Sequence, residues 1–417
     1  MNFQDFGLDP LLLDGINAMG YTTATPVQEK VIPMIMQGRD VMASAQTGTG
    51  KTAAFLLPVV HQLMSLGHDN SIKALVIVPT RELAVQIDQQ MEGLSYFTHI
   101  SSIAIYGGTD GASFSREKQA LTEGGDLIIG TPGRLIAHLN MGYVNVSSLK
   151  CLILDEADRM LDMGFFDDIT KIISYLPEKR QNLLFSATMP SKIRDLIKKV
   201  LNNPEEVNIA VSKPAEKVLQ VAYVVYDAQK INLVKHLLQG KKPKSVIIFC
   251  STKIKTKDVA RALKVPGSVL AEFHSDLDQK EREMVLMKFK NRSINILVAT
   301  DILARGIDVE DIDLIINFDV PNDGEDYIHR IGRTARAEAE GIAITLIGEK
   351  EQGKFAQIEQ MLGKPVMKPA IPSTLGSAPE FNPRKRVERG QGRPNFSGNR
   401  RRSSGGSGRS SSSGSRR

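Results

Sequence analysis

The chain has 417 residues and is 41% hydrophobic, which is sufficient for two or three domains with buried cores. Its two cysteines, Cys151 and Cys250, lie in apolar runs, so we expect buried, reduced thiols in a cytoplasmic protein and no disulfide framework. No apolar run approaches the roughly 18 residues of a membrane span, and the seven histidines show no zinc-binding spacing.

Positive charge is concentrated at one end of the chain. The net charge is +6. Eleven basic residues and one glutamate follow Pro383, so this last segment carries +10 and the preceding residues carry −4. Such an asymmetry indicates that the segment binds a polyanion.

The first predicted elements are two helices. Asp9 followed by Pro10 predicts a helix start with an aspartate N-cap, and Gly20 ends the apolar stripe that follows. The sequence GYTTATPVQ comes next and ends at Gln28. A second helix pattern then runs to Ile35.

A glycine-rich turn joins a strand pattern, Asp40–Ala43, to a helix pattern that begins at Lys51. Its sequence, AQTGTGKT, is typical of a phosphate-binding loop, because glycines let backbone N–H groups converge on an anion at a helix N-terminus. Lys51 would bind the β- and γ-phosphates, and the Thr52 hydroxyl would bind a Mg²⁺ ion that bridges them. The candidate nucleotide-binding residues are Ala45, Gln46, Thr47, Gly48, Thr49, Gly50, Lys51 and Thr52. The alternative is a solvated lysine in a glycine-rich turn.

Short apolar strand patterns alternate with helix patterns from this loop to about residue 208. The strand candidates are Ala74–Val78, Ile103–Tyr106, Leu127–Ile129, Cys151–Leu154 and Leu183–Phe185. Because they are apolar on both faces, we predict an α/β domain with a doubly wound parallel sheet over residues 1–208.

Two of these strands are followed by polar residues at their carboxyl ends, where open α/β sheets bind ligands. In the sequence DEAD, Asp155 is placed to hold Mg²⁺, and Glu156 to orient and deprotonate an attacking water. The alternative is a polar helix start after a buried strand. Ser186 and Thr188 follow another strand, and taken alone they are best explained as a helix cap.

The second half repeats the alternation. Residues 209–217 are polar and contain Pro214, which predicts a linker. A second α/β domain is predicted over residues 218–365, without a phosphate-binding loop of its own. Its strand candidates are Val221–Tyr226, Val246–Cys250, Val269–Glu272, Ile296–Ala299, Leu314–Phe318 and Ala343–Ile347. Residues 366–417 are predicted to be a disordered tail, because their glycine, serine and arginine content cannot build a core.

Two arginines of the second half suit the same nucleotide. Arg333 and Arg336 are three residues apart, so on a helix or tight turn they face one way. A pair of guanidinium groups can stabilise the charge on a γ-phosphate that the other domain binds. The alternative is an ordinary basic helix face.

Nine separated motifs occur in the order found in the DEAD-box RNA helicases, and the chain resembles this family over essentially residues 1–365. The motifs are GYTTATPVQ, AQTGTGKT, PTRELA, Gly107-Gly108, TPGR, DEAD, SAT, ARGID and HRIGRTAR. The short basic tail is similar to that of the bacterial RhlE-like group. The resemblance implies two tandem RecA-like domains, each a parallel sheet flanked by helices, with ATP, Mg²⁺ and RNA bound across their cleft.

The resemblance also implies roles for single residues. Gln28 would read adenine, and Phe3 would stack on the base, with Phe6 as a substitute and core packing as the alternative for both. Asp308 would bind the ribose, and Ala335 replaces the glycine that is usual between the paired arginines. Contacts with the RNA backbone are implied for Arg81, Gly108, Thr131, Arg134, Arg282 and Thr300, the last but one within a QxxR element that begins at Gln279. Coupling of hydrolysis to domain closure is implied for Asp158, Ser186, Thr188 and His329.

We therefore expect an ATP-dependent RNA helicase that pries short duplexes apart as its cleft closes, with RNA also bound by the tail. One alternative is a DNA-translocating helicase of the same superfamily, against which Gln28 and the DEAD and SAT sequences argue. Another is an ATP-gated RNA clamp or annealing protein, which the same residues would serve. A P-loop kinase would need an acceptor site in place of the second domain. The oligomeric state and the physiological RNA stay open.

Overall fold

The computed structural model describes residues 1–383 apart from 46–47, 68, 70, 108–110, 190, 210–217, 240–243, 264, 301–311, 323 and 335–340. The chain divides into two units, residues 1–383 and residues 384–417, and all described residues belong to the first. None of the described helices is long and apolar enough to cross a bilayer.

The first half of the described chain forms a sheet of seven strands. They are β1 (Val41–Ser44), β2 (Ala74–Ile77), β3 (Ser102–Ile105), β4 (Leu127–Gly130), β5 (Cys151–Leu154), β6 (Gln181–Ser186) and β7 (Glu205–Asn208). Their order in the sheet is β3-β4-β2-β5-β6-β1-β7, and all the pairs are parallel. This order brings the carboxyl ends of β1, β5 and β6, which precede the predicted nucleotide-binding motifs, next to one another.

Two helices precede the first strand, and the others connect the strands, as parallel pairing requires. After a 3₁₀ turn, Phe3–Phe6, they are α1 (Pro10–Ala18), α2 (Pro26–Met36), α3 (Lys51–Met64), α4 (Arg81–Ser95), α5 (Gly111–Glu123), α6 (Pro132–Asn140), α7 (Ala157–Asp162), α8 (Phe166–Ile173) and α9 (Ser191–Val200). The predicted N-cap is confirmed, because the Leu11 N–H donates to the Asp9 carboxylate over 2.9 Å.

The second half of the described chain forms a separate sheet of six strands. They are β8 (Val218–Val224), β9 (Val246–Cys250), β10 (Leu270–Phe273), β11 (Ile296–Thr300), β12 (Leu314–Asn317) and β13 (Gly341–Ile347). The order is β10-β11-β9-β12-β13-β8, again with parallel pairs. The described helices around it are α10 (Lys230–Leu238), α11 (Lys253–Ala262), α12 (Gln279–Lys290), α13 (Gly324–Ile331) and α14 (Gln352–Leu362).

Both sheets are buried on both faces, which explains why their strands are continuous apolar runs. On β5, Cys151 and Ile153 belong to one core cluster, and Leu152 and Leu154 belong to the cluster on the opposite face. Burial raises the pKa of the Cys151 thiol well above its usual range. The predicted class, two parallel-sheet α/β domains, is therefore confirmed.

Strand β7 is missing from the sequence-based prediction. It lies at the edge of the first sheet, where it pairs with β1, and only Val207 of its four residues is buried. An edge strand with one buried residue has no apolar run by which to recognise it. The exact domain boundaries stay a prediction, and most of the predicted linker, residues 210–217, lies outside the described residues.

The segment 366–383 differs from the prediction of a disordered tail. The Ala222 N–H donates to the Met367 carbonyl over 2.9 Å, next to β8 at the edge of the second sheet. The Gln229 side chain donates to the Leu375 carbonyl over 2.8 Å, and Phe381 packs against the second core. A few well-spaced apolar residues and backbone hydrogen bonds anchor this segment despite its polar composition.

Candidate active site

The loop between β1 and α3 has the geometry of an anion cradle. Gly48 and Gly50 adopt left-handed backbone conformations, with φ of +78° and +87°, which a residue with a Cβ rarely adopts. Lys51 begins α3 and is only 6% exposed, and its Nζ atom has no hydrogen-bond partner among the described residues. A buried ammonium group without a partner is costly unless an anion binds there. The loop therefore fits a nucleotide phosphate, whereas Gln46 and Thr47 lie outside the described residues.

Gln28 joins the segment before α2 to this cradle. Its side-chain oxygen accepts from the Thr25 N–H over 2.9 Å, and its Nε2 donates to the Gly50 carbonyl over 3.0 Å. A Cβ on Gly50 would lie 2.5 Å from the same Nε2 atom, so the close approach needs glycine. An amide has capacity for two hydrogen bonds at each end, which leaves room for the predicted contact with adenine.

Phe3 lies in the core of the first half. Its side chain is 4% exposed, and its ring centroid lies 6.1 Å from that of Phe6 and 6.3 Å from that of Tyr21. The structure thus places Phe3 in the core, which is the alternative that the sequence left open. Stacking on a base stays a prediction.

The two acidic residues after β5 are held in different ways. Asp155 is buried, and burial raises its pKa to about 6, although the positive charge of Lys51 opposes this shift. Glu156 has a φ of +50°, a left-handed conformation that costs a non-glycine residue about 1–2 kcal/mol. Its carboxylate accepts from Arg159 Nη1 over 3.1 Å. Backbone strain of this kind clusters at functional sites, because the surrounding structure must hold it.

Asp158 connects the end of β5 to the turn after β6. Its Oδ2 atom accepts from the backbone N–H groups of Ala187, over 3.1 Å, and of Thr188, over 2.9 Å. The fully buried Ser186 hydroxyl donates instead to the Thr188 carbonyl. Two backbone amides therefore connect Asp158 to the turn that contains Ser186 and Thr188. The link onward to His329, on α13, stays a prediction.

The predicted RNA-contacting residues of the first sheet follow β2, β3 and β4, which are neighbours in the sheet. Arg81 begins α4, and burial together with the charge of Arg282 lowers its pKa. Thr131 lies at the N-cap of α6, and Arg134 lies in the first turn of that helix. Gly108 lies outside the described residues.

Arg282 connects the two sheets. Its Nη1 atom lies 3.5 Å from a carboxylate oxygen of Glu82, on α4, while its Nε and Nη2 atoms donate to the Leu277 and Ser275 carbonyls. The charge of Arg282 acts on Arg81, so the two side chains lie near each other, and their contact with RNA stays a prediction.

The remaining predicted residues of the second half are only partly described. Thr300 is the last residue of β11. Arg333 is half-buried just after α13, and its carbonyl accepts from the Ile312 N–H over 3.3 Å. Asp308 and Arg336 lie outside the described residues, so the pairing of Arg333 with Arg336 stays a prediction.

Two structural arginines next to the motifs are absent from the sequence-based prediction. Arg330 is buried on α13, and its Nη1 atom donates to the Asn317 side chain and to the Asp319 carbonyl, each over 3.0 Å. Arg159 pairs with Glu156, as described above. The spacing of three residues between Glu156 and Arg159 was the signal for the second pair. Nothing in the local sequence indicates the partners of Arg330.

Sequence and structure comparisons agree on one family. A profile of the DEAD/DEAH box helicases matches residues 25–196, and one of the helicase conserved C-terminal domain matches residues 229–338. The ATP-dependent RNA helicase CshA of Listeria monocytogenes is 42% identical over 363 residues, which cover 87% of this chain and 69% of the relative. The DEAD-box ATP-dependent RNA helicase CshA of Geobacillus kaustophilus is 40% identical, covering 93% and 82%.

Two solved structures from DEAD-box helicases have a similar fold. Saccharomyces cerevisiae Dbp5 bound to RNA and ADP-BeF3 is 29% identical, with a TM-score of 0.80 over 89% of this chain and 96% of that one. Mss116p bound to single-stranded RNA and AMP-PNP is also 29% identical, with a TM-score of 0.79 over 89% and 78%.

Proposed function

Because this chain belongs to the DEAD-box family of ATP-dependent RNA helicases, we propose that it separates short RNA duplexes locally, with ATP hydrolysis at the cleft between its two α/β domains. The observation that carries this proposal is the buried Lys51 ammonium, which has no hydrogen-bond partner among the described residues and lies near Asp155, directly after β5. A contact between the sheets, from Arg282 to Glu82, supports the view that both domains build one site.

The nucleotide would bind in the loop from Ala45 to Thr52, with Lys51 against its outer phosphates. The Thr52 hydroxyl and the Asp155 carboxylate are oxygen donors, the ligand type that Mg²⁺ prefers, so they fit a bound Mg²⁺ ion. When bound, this ion would neutralise the charge on the β- and γ-phosphates. Gln28 would recognise the adenine, Asp308 would bind the ribose, and Phe3 would stack on the base.

Glu156 would act as the general base for the attacking water. Its contact with Arg159, on the helix that follows, holds the carboxylate in one place. Arg333 and Arg336 would stabilise the charge that develops on the γ-phosphate, which is worth about 10³–10⁵ in rate. Asp158 would pass the state of this site to the turn after β6 through the Ala187 and Thr188 amides.

RNA would bind across the other strand ends. The residues proposed to contact its backbone are Arg81, Gly108, Thr131, Arg134, Arg282 and Thr300. Contacts to phosphates and riboses fix the register without reading sequence, and contacts to 2′-hydroxyls would select RNA over DNA. Closure around ATP and RNA would bend the bound strand and open the adjacent duplex, and hydrolysis would reopen the cleft.

Two finer assignments complete the proposal. Membership of the RhlE-like group is supported by the short basic tail, although the relatives described above are CshA helicases. A cytoplasmic location fits the two buried thiols, Cys151 and Cys250.

The test of the function has two measurements. ATP hydrolysis should be stimulated by single-stranded RNA much more than by DNA of the same sequence, and ATP should drive displacement of a short RNA strand. An equal rate of ATP hydrolysis with and without RNA would refute the proposal. RNA stimulation without strand displacement would favour the clamp or annealing protein, and equal stimulation by DNA would favour the DNA-translocating enzyme.

The tail has its own test. If residues 384–417 neutralise five phosphates of single-stranded RNA, the slope of log affinity against log salt should be shallower by roughly 3.5 after their deletion. A control that keeps the length of the tail and replaces its basic residues by glutamine should flatten the slope equally. An unchanged slope would exclude RNA binding by the tail.

A further inference from the structure

A cluster of aromatic and charged side chains lies between α5 and α6, next to one of the proposed RNA-binding residues. It comprises Phe114, Glu117, Arg134, His138 and Tyr143, and we refer to it as the Glu117 cluster. Glu117 is 5% exposed and His138 is 1% exposed. None of the sequence motifs includes Phe114, Glu117 or His138.

One carboxylate oxygen is the centre of this cluster. Glu117 Oε2 accepts from Arg134 Nε over 2.7 Å and contacts His138 Nε2 over 2.9 Å. Arg134 and His138 are four residues apart on α6, so they present the same face of that helix to α5. His138 is held in turn by a hydrogen bond between its Nδ1 atom and the Tyr143 hydroxyl.

Aromatic contacts fix the same arginine from another side. The ring of Phe114 stacks on that of His138, with centroids 4.5 Å apart and planes 14° apart. The guanidinium carbon of Arg134 lies 4.5 Å from the Phe114 centroid. A bond at Nε together with a flat ring against the guanidinium determines both the position and the plane of the Arg134 head group.

We infer that Glu117, Phe114 and His138 are positioning residues that hold the Arg134 guanidinium ready for an RNA phosphate. The inference rests on the proposed RNA contact of Arg134. Arginine loses considerable rotamer freedom when it is immobilised, and a binding site that is ordered beforehand does not incur that loss when the ligand arrives. RNA affinity should therefore depend on side chains that never touch RNA.

The direction in which Glu117→Gln changes RNA affinity distinguishes positioning of Arg134 from simple electrostatics. Glu117→Gln removes a negative charge near an RNA-binding arginine, which by Coulomb attraction alone would tighten RNA binding. If Glu117 positions Arg134, the same change should weaken binding. Ordering of one long side chain corresponds to about two- to tenfold in affinity, so we expect the KM for RNA to rise by that factor.

The experiment measures RNA-stimulated ATP hydrolysis of the full chain with a single-stranded RNA, as KM for RNA and as rate at saturating RNA. Glu117→Gln should raise KM and keep the saturated rate. The matched control is Glu123→Gln, the same chemical change at an exposed carboxylate on α5, which should leave both unchanged. In a chain that already carries Arg134→Ala, Glu117→Gln should add nothing, because the residue that it positions is gone.

A second pair of variants covers the case in which Glu117→Gln impairs folding. Phe114→Tyr keeps the ring and should keep the RNA affinity, whereas Phe114→Leu loses the stack at a half-buried site and should raise KM.

Loss of one phosphate contact, measured with Arg134→Ala, should also reduce the magnitude of the salt slope by about 0.7.

The outcomes separate the inference from the proposed function. A wild-type enzyme whose ATP hydrolysis is not stimulated by RNA would refute the proposed function. An Arg134→Ala variant with normal KM and salt slope would remove the RNA contact, and the inference with it. A raised KM for Arg134→Ala, with normal values for both Glu117→Gln and Phe114→Leu, would overturn the inference alone.

Discussion

Two buried lysines occupy matching places in the two sheets. Lys51 is the first residue of α3, the helix that follows β1, and Lys230 is the first residue of α10, the helix that follows β8. Within the part of the chain that the structure describes, Lys51 Nζ has no hydrogen-bond partner. Lys230 Nζ lies 2.6 Å from Glu351, 3.3 Å from Asp227 and 3.7 Å from Asp319.

The difference shows how one position in a fold serves binding in one domain and stability in the other. In the first domain a glycine-rich loop precedes the helix, and an anion from outside would stabilise the buried charge of Lys51. At the second sheet carboxylates of the protein itself surround Lys230, so no ligand is needed. A buried cation is a sign of a phosphate site only when the protein leaves it unpaired.

The largest expected effect on activity comes from Glu156, which follows β5 of the first sheet. Glu156→Gln should lower the rate of ATP hydrolysis by about 10²–10⁴, since an amide cannot accept the proton of the attacking water. Binding of ATP and RNA should persist, so the closed state should accumulate. The measurements are steady-state hydrolysis and RNA affinity with ATP present.

The matched variant in the second sheet is Glu351→Gln. Glu351 accepts from the Val320 and Gly348 N–H groups and pairs with Lys230, so its loss should lower the melting temperature and leave the turnover number unchanged. Normal hydrolysis by Glu156→Gln would show that another group is the base.

The two lysines themselves give the next largest effect. Lys230→Met leaves the Glu351 carboxylate without its ammonium partner, whereas Asp319 keeps its ion pair with Lys255 at 2.6 Å. Loss of one partner of a buried pair should destabilise the protein by about 3–5 kcal/mol in chemical denaturation. Lys51→Met removes an ammonium group that has no hydrogen-bond partner among the described residues, so it should lower the stability of the nucleotide-free protein much less than Lys230→Met does. It should instead weaken nucleotide binding by about ten- to a hundredfold, as expected for lost bonds between an ammonium and phosphates. Equal destabilisation by both variants would mean that Lys51 also has a structural partner. The two lysines would then not differ in their contribution to stability.

The sequence predicts most of the architecture because burial on both faces leaves a continuous apolar run. The bounds of β5 and β9 agree residue for residue with the apolar patterns, and α3 begins at the lysine of its loop. The sequence does not predict strand β7 or the ordered segment 366–383, because each is anchored by a few contacts and lacks a continuous apolar run.

Site residues are predictable where a local motif carries the chemistry and unpredictable where the partner is distant in sequence. The bond from Gln28 to Gly50 spans 22 residues, and that from Arg134 to Glu117 spans 17. Both depend on how two elements pack. No pattern within either element could indicate which side chain would receive the bond.

The smallest expected effect is a pH dependence at the first sheet that has no counterpart at Lys230. Burial raises the pKa of Asp155 from 3.8 to about 6, and the positive charge of Lys51 opposes the shift. Proton uptake therefore favours the folded, nucleotide-free state between about pH 4 and 6, so ionisation of Asp155 costs stability as pH rises through that window. A Mg²⁺ ligand must be ionised, so Mg²⁺-dependent nucleotide affinity should fall by up to about tenfold per pH unit below pH 6.

Removal of the opposing charge sharpens this last prediction. In Lys51→Met the pKa of Asp155 should rise further, and the decline in affinity should begin at a higher pH than in the wild type. Calorimetric titration with a non-hydrolysable ATP analogue between pH 5 and 8 measures both profiles, and the same titration in EDTA should lack the decline. A wild-type profile that stays flat to pH 5 would mean that Asp155 is ionised throughout. In that case Lys51 would have to neutralise Asp155 as fully as the carboxylates neutralise Lys230, and the two lysines would no longer differ in kind.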